Sequence, residues 1–226
     1  MCLPKRHSDN PSLHLYHDPF YKQFPVMQGH GPYVEEYLQT LYKTLRKADQ
    51  QYPRLMALRI DLVPPKGLLE RMSEADERKL IGRFIESLKA QIEADRQRVK
   101  RASKRAAGCT LRYVWCREFS ESQVSRGPHF HFLFLFNKDA YFKAGPVGGE
   151  WESLVNRISK AWSRALRIEW DPDSSLVYIC DNGCYLVRSR EDVGAISAIF
   201  TRASYLCKAE TKIYGTHRHA FGASRV

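Results

Sequence analysis

The run Gly127-Pro128-His129-Phe130-His131-Phe132-Leu133-Phe134-Leu135-Phe136-Asn137 leaves this chain little choice of fold. Past its two histidines every side chain up to Asn137 is apolar, and a Gly-Pro pair stands at its entrance. A stretch so rich in phenylalanine, too short for a core helix and bounded by turn residues, reads as a central β-strand. Strand side chains alternate, so His129 and His131 share one face about 7 Å apart. Imidazoles placed that way can converge on one metal ion or one phosphate; two hydrogen-bonded histidines at a sheet edge would look the same.

The remaining elements follow from periodicity and punctuation. From Pro32, the residues Val34, Tyr37, Leu38, Leu41 and Leu45 repeat at three and four and give a helix to about residue 49. Leu55 to Val63 is a strand stopped by Pro64-Pro65, with Asp61 as its one acid. Ser73 and Asp76 are spaced as a capping box, and Leu80, Ile81, Phe84, Ile85, Leu88 and Ile92 form the buried face of the helix they open. Thr110 to Phe119 is a strand that pairs as a hairpin with the His129 strand; a one-residue difference in register puts Glu118 opposite His129 or Phe130. Trp151, Leu154, Val155, Ile158, Trp162 and Leu166 define a third helix. Two apolar runs, Leu176 to Cys180 and Cys184 to Val187, flank Asp181-Asn182-Gly183 and read as a second hairpin. Ser189 and Asp192 are spaced as another capping box and open a last helix running through Lys208 or beyond. The order predicts an α+β fold, an antiparallel sheet of about five strands with helices packed on it, of split βαβ type. Residues 1–31 lack a period and read as an irregular arm without chemistry, giving an arm and helix over 1–50 and a main domain over 51–226.

Composition enters through charge. Thirty-six Lys and Arg against 25 Asp and Glu give +11 and suit a phosphate-rich partner. The end of the second helix is basic, and Arg96, Arg98, Lys100, Arg101, Lys104 and Arg105 could follow a DNA backbone or simply form a solvated helix terminus. Six cysteines without a CxxC pair predict free thiols and a reducing cytoplasm. The N-terminus has no apolar core and no run reaches 18 apolar residues, which predicts neither export nor a membrane span.

On a helical wheel for the last helix, Ile196, Ile199, Phe200, Ala203 and Cys207 form the buried stripe. Tyr205 points away from it, with Thr201, Lys208 and Lys212 within about 60° of its direction. These parts permit phosphoryl transfer to a side chain. A divalent metal on the two histidines and a carboxylate would act as Lewis acid on a phosphodiester. The phenol, favoured as phenolate by a neighbouring ammonium, would attack in line and keep the bond energy in a phosphotyrosine ester. A second reading is a non-catalytic nucleic-acid module of RRM-like fold, with Phe130, Phe132 and Phe134 as stacking platforms. A phosphoesterase of the two-histidine type would need two His-x-Ser/Thr motifs, and none is present. His217-Arg218-His219 reads as a solvated segment, while His14 and His17 stay unassigned.

Trp115-Cys116-Arg117-Glu118, Pro128-His129-Phe130-His131, Leu135-Phe136-Asn137-Lys138-Asp139-Ala140-Tyr141, Ser204-Tyr205-Leu206-Cys207-Lys208 and Thr211-Lys212 resemble, in this order, the YagK/YfjJ C-terminal domain family. That family groups with inovirus-type replication initiators among the HUH endonucleases, whose pattern is His-hydrophobe-His on a strand and Tyr-x-x-Lys on a later helix. The likeness spans roughly residues 50 to 222. It implies an HUH-like fold over the main domain, with His129 and His131 as metal ligands, Glu118 as the third, Tyr205 as nucleophile and Lys208 as its helper. Asp61 competes with Glu118 as the acid. The resemblance also implies Mn²⁺ or Mg²⁺ as cofactor, a single-stranded DNA origin and a host replication helicase as partners, and rolling-circle replication of a phage or prophage-like element in a bacterial cytoplasm. Arg117, Lys212, Arg101, Lys104 and Arg105 are the expected DNA contacts. Two-tyrosine initiators carry a second tyrosine four residues after the first, where this chain has Ala209, so a single nucleophile is expected.

Overall fold

The computed structural model describes residues 5–102, 105–119, 127–146, 148–149, 152–214 and 219–225. Five antiparallel strands form its main sheet: β1 (Leu55–Leu62), β2 (Arg112–Glu118), β3 (His129–Asn137), β4 (Val177–Val187) and β5 (Phe221–Ala223), in the spatial order β4-β1-β3-β2-β5. Helices α1 (Glu35–Gln51), α2 (Glu74–Ala102), α3 (Leu154–Leu166) and α4 (Val193–Ser204) complete it. β1 and β2 both run antiparallel to β3, which lies between them, and α2 joins them: this is the split βαβ arrangement. The α+β class holds.

β3 is central because both of its faces are apolar. Phe130, Phe132, Phe134 and Phe136 meet Phe84 of α2 and Trp162 of α3 on one side. Leu133 and Leu135 meet α1 and α4 on the other. Each fully buried phenylalanine or leucine contributes about 1.5–3 kcal/mol of apolar transfer. The phenylalanines are therefore core, and base stacking on them is closed off by the helices above. The cap of α2 behaves as the sequence predicts: Ser73 Oγ accepts from the Asp76 amide at 3.1 Å. At α4 the capping residue is Asp192 and not Ser189, and Asp192 accepts from the Ala195 amide at 3.2 Å. For the third helix, Trp151 lies outside the described residues, and the cap is Ser153, accepting from the Asn156 amide.

Three elements differ from expectation. Leu176 to Val187 contains no hairpin: β4 is one strand, and both of its halves pair with β1, with a register shift between Leu58 and Ile60. Asn182 takes φ 52°, and Gly183 lies so close to β1 that an added Cβ would stand 2.7 Å from the Arg59 carbonyl oxygen. Asp181-Asn182-Gly183 thus makes a bulge after which the strand resumes along the same neighbour. β5, unforeseen in the Gly-containing tail, takes the sheet's fifth place through Cys116↔Phe221 and Val114↔Ala223. The last helix stops at Ser204, and Tyr205–Cys207 forms a 3-10 turn. It stops because backbone from the N-terminal arm captures the next groups: Tyr33 bridges Lys208, and the Ala209 amide donates to the Pro32 carbonyl at 2.9 Å.

That arm is built into the fold. Tyr21, Phe24, Val26 and Tyr33 share a core with α1, α4, Leu133 and Leu135, so residues on either side of position 50 pack together. The described cysteines are free thiols. No helix among the described residues is long and apolar enough to cross a membrane.

Candidate active site

Register brings both carboxylates to the histidine face. Glu118 stands directly opposite His129, and Asp61 directly opposite His131, so all four side chains lie at one end of the α1/α4 face of the sheet. His131 is held between the acids, with Nδ1 2.6 Å from Asp61 Oδ1 and Nε2 3.4 Å from Glu118 Oε2. Burial disfavours its charged form, but hydrogen bonds to the two acids outweigh this and raise its pKa. The rings of His129 and His131 lie 6.4 Å apart.

Both carboxylates are heavily engaged. Burial alone would raise the Glu118 carboxyl. The hydrogen bond from His131, the Lys212 ammonium 3.2 Å from Oε1 and the Lys208 ammonium 2.9 Å from Oε2 instead hold it well below the usual carboxylate range. Burial of Asp61 is likewise outweighed by His131 and the Arg59 guanidinium, and its pKa falls to about 2. Among the described residues no three His, Cys, Asp or Glu side chains are arranged as a metal-binding cluster. The carboxylate oxygens here face the protein's own cations. The donor set of two imidazoles and one or two carboxylates on one face nonetheless has the chemistry of a divalent-cation site.

Tyr205 reaches this face from the 3-10 turn. Lys208 Nζ donates to its hydroxyl oxygen at 2.6 Å and sits 4.1 Å from its ring centroid. Burial lowers the Lys208 pKa, but hydrogen bonds to Tyr205 and Glu118 raise it further, so the ammonium is retained. The Tyr205 ring lies edge-to-face with His131, centroids 6.0 Å apart, and with His30, centroids 5.0 Å apart. A cleft of about 350 Å³ opens here, with Asp61, His131 and Tyr205 in its lining together with Met27, His30, Arg59, Tyr178 and Arg202. That is room for a ligand of nucleotide size.

The predicted site residues divide. His131, Glu118, Tyr205 and Lys208 are joined by the contacts above, and His129 lies beside them. Lys212, expected as a DNA contact, is turned inward: it is 4% exposed, donating to the Lys208 carbonyl at 2.6 Å and to Glu118. Arg117 is buried on the opposite face, where it donates to Glu77 at 2.6 Å and lies over Phe119. Their charge is consumed inside the fold. Arg101 and Arg105 are exposed, at and just past the end of α2, in the layer across the sheet from Tyr205. Lys104 lies outside the described residues, as do His217 and Arg218.

Several site residues escaped the sequence. For Arg59 the sequence does carry a signal, since it and Asp61 are the sole charges of an apolar strand and two apart, hence on one face. His30 and Met27 come from the arm, which thus carries part of the cleft. The arm is tied down there by the Met27 amide donating to Ser204 Oγ at 2.9 Å and by Thr201 Oγ1 donating to the Pro25 carbonyl at 3.0 Å. No period marks those residues.

The YagK/YfjJ C-terminal domain family matches residues 16–224. YagK of Escherichia coli (strain K12), an uncharacterized protein, is 36% identical over 204 residues, which cover 87% of this chain and 96% of its own length. YfjJ of the same organism, also uncharacterized, is 30% identical over 204 residues, covering 86% and 96%. No solved structure matches the chain.

Proposed function

This chain belongs to the YagK/YfjJ C-terminal domain family, and we propose that it is a metal-dependent, site-specific single-strand DNA endonuclease and strand transferase of HUH type that initiates rolling-circle replication. The observation that carries this reading is the meeting of Tyr205 and His131 in one cleft, with Lys208 bridging Tyr205 to Glu118.

In the reaction, the Tyr205 oxygen attacks the scissile phosphorus. One P–O bond forms to the phenol and one breaks to the departing sugar oxygen, leaving a phosphotyrosine ester. Lys208 keeps its own proton and cannot be the base, so the phenolic proton leaves to water in the cleft. The ammonium acts by charge, favouring phenolate and offsetting the negative oxygens of the transition state. His129, His131 and Glu118 are the residues that would hold a divalent cation, which when bound would withdraw charge from the scissile phosphate. Glu118 must then exchange its ammonium partners for the cation, and His131 must give up a ring proton. Arg59 and Asp61 act as positioning residues for His131. The reverse attack, by a sugar hydroxyl on the ester, releases Tyr205 and joins strands.

Incubation with single-stranded DNA and Mn²⁺ tests this. Nicking should be lost with chelator and in Tyr205→Phe, and Lys208→Ala should slow it without abolishing it; undiminished nicking by Tyr205→Phe would overturn the mechanism.

A further inference from the structure

Tyr178 is an unusual residue for its place. It belongs to β4, the edge strand, and its backbone partner is Asp61, so it stands on the same face and in the same row as Asp61 and His131. Elsewhere the helices cover this face, but Tyr178 remains 52% exposed and lines the cleft that holds Tyr205. Its hydroxyl donates to Asp181 Oδ1 at 3.1 Å, which restrains the ring. Asp181 in turn sits in the β4 bulge, whose backbone is pressed against β1 at Gly183. The bulge therefore presents an anchored aromatic ring to solvent beside the reactive tyrosine. The neighbouring lining combines the Met27 thioether and the His30 imidazole with the Arg202 guanidinium. An anchored ring next to a cation matches the two halves of a nucleotide, a base with a π-face and a phosphate.

We propose that Tyr178 is the platform of a subsite for one unpaired nucleobase, next to the phosphate presented to Tyr205, with Arg202 meeting the adjoining backbone phosphate. This rests on the nuclease reading for its substrate and adds where a base is held. It calls for single-stranded substrate at that position, because a paired base has no face to offer.

The test is anisotropy of labelled oligo-dT in excess chelator, where no strand is cut. Tyr178→Ala should bind about 5-fold or more weakly, the lower end of what one base–aromatic stack contributes, whereas Tyr178→Phe should stay within about 2-fold of the parent. A strand of the same length lacking bases should bind Tyr178→Ala and the parent alike. Phe142→Ala, which removes a 62% exposed aromatic away from the cleft, should leave oligo-dT affinity unchanged. Unchanged oligo-dT affinity in Tyr178→Ala, or an equal loss on the strand lacking bases, overturns the subsite. Adduct formation by the parent with Mn²⁺ and single-stranded DNA carrying the origin is measured in parallel. An adduct together with unaltered Tyr178→Ala affinity removes the subsite alone. No adduct together with a base-dependent loss supports the subsite and removes the nuclease reading. No binding by the parent removes both.

Discussion

Lys212→Met separates a buried structural cation from a DNA contact. The lysine side chain has no exposed surface and gives its ammonium to Glu118 Oε1 and the Lys208 carbonyl. Methionine matches its shape without its charge. Loss of one partner of a buried pair costs about 3–5 kcal/mol because the other charge is left uncompensated. Here Glu118 keeps Lys208 at 2.9 Å and His131 at 3.4 Å, which points to the lower end, about 3 kcal/mol. For a domain of this size that is a fall in Tm of about 6–12 °C. Thermal unfolding followed by circular dichroism reads it directly. Titration of oligo-dT against salt reads the alternative: a lysine that neutralises one phosphate of a single strand contributes about 0.7 to the log–log slope, and its removal makes the slope shallower by that amount. The variant should show the fall in Tm and keep its slope. An unmoved Tm with the shallower slope would refute the buried role.

Three further outcomes follow from the same structure. Gly183→Ala places a Cβ 2.6 Å from the Cys180 carbonyl oxygen and 2.7 Å from that of Arg59, so the bulge must open; urea unfolding should show a loss of about 1–3 kcal/mol, and a neutral result would refute the close approach. Asp95 is 5% exposed; burial would raise its pKa, but Arg96, Arg98, Tyr141 and Arg157 lower it to about 2, below the unfolded value. It therefore adds about 2 kcal/mol that is present above pH 4 and lost as pH falls toward 2, and Asp95→Asn should lack that part of the acid dependence in pH-resolved unfolding. Mn²⁺ affinity by calorimetry should rise with pH, because binding displaces the proton that Asp61 and Glu118 hold on His131. Glu118→Gln should weaken it about 10-fold or more, and loss in Asp61→Asn alone would transfer the ligand role to Asp61.

How far the sequence could be read depended on whether a residue's partner is local. β1, β2 and β3 and the four helices were legible because alternation, a repeat of three and four, and Ser or Asp caps are written in consecutive residues. Asn182-Gly183 reads as a hairpin turn but makes a bulge, because a left-handed φ at Asn182 serves either and only pairing with β1 distinguishes them. β5 is three residues long and has no period to detect. At the site, His129-x-His131 and Tyr205-x-x-Lys208 could be picked out as short patterns, while the face of Glu118 awaited the register Glu118↔His129. The burial of Lys212 and Arg117 was not legible, because a count of positive charge cannot say which cations are neutralised within the fold. His30 and Met27 were hidden because an arm that follows no period is held by backbone and hydroxyl contacts to α4, more than 170 residues away in sequence.

The central claim is that Tyr205 is the nucleophile, and trapping the covalent product tests it most directly. Single-stranded DNA carrying the origin is incubated with the protein and Mn²⁺, the mixture is denatured, and the adduct is digested and mapped by mass spectrometry. A nucleotide on the peptide containing Tyr205, absent from Tyr205→Phe and unaffected in Tyr214→Phe, is the predicted result; a nucleotide on Tyr214 or on any other residue would contradict it.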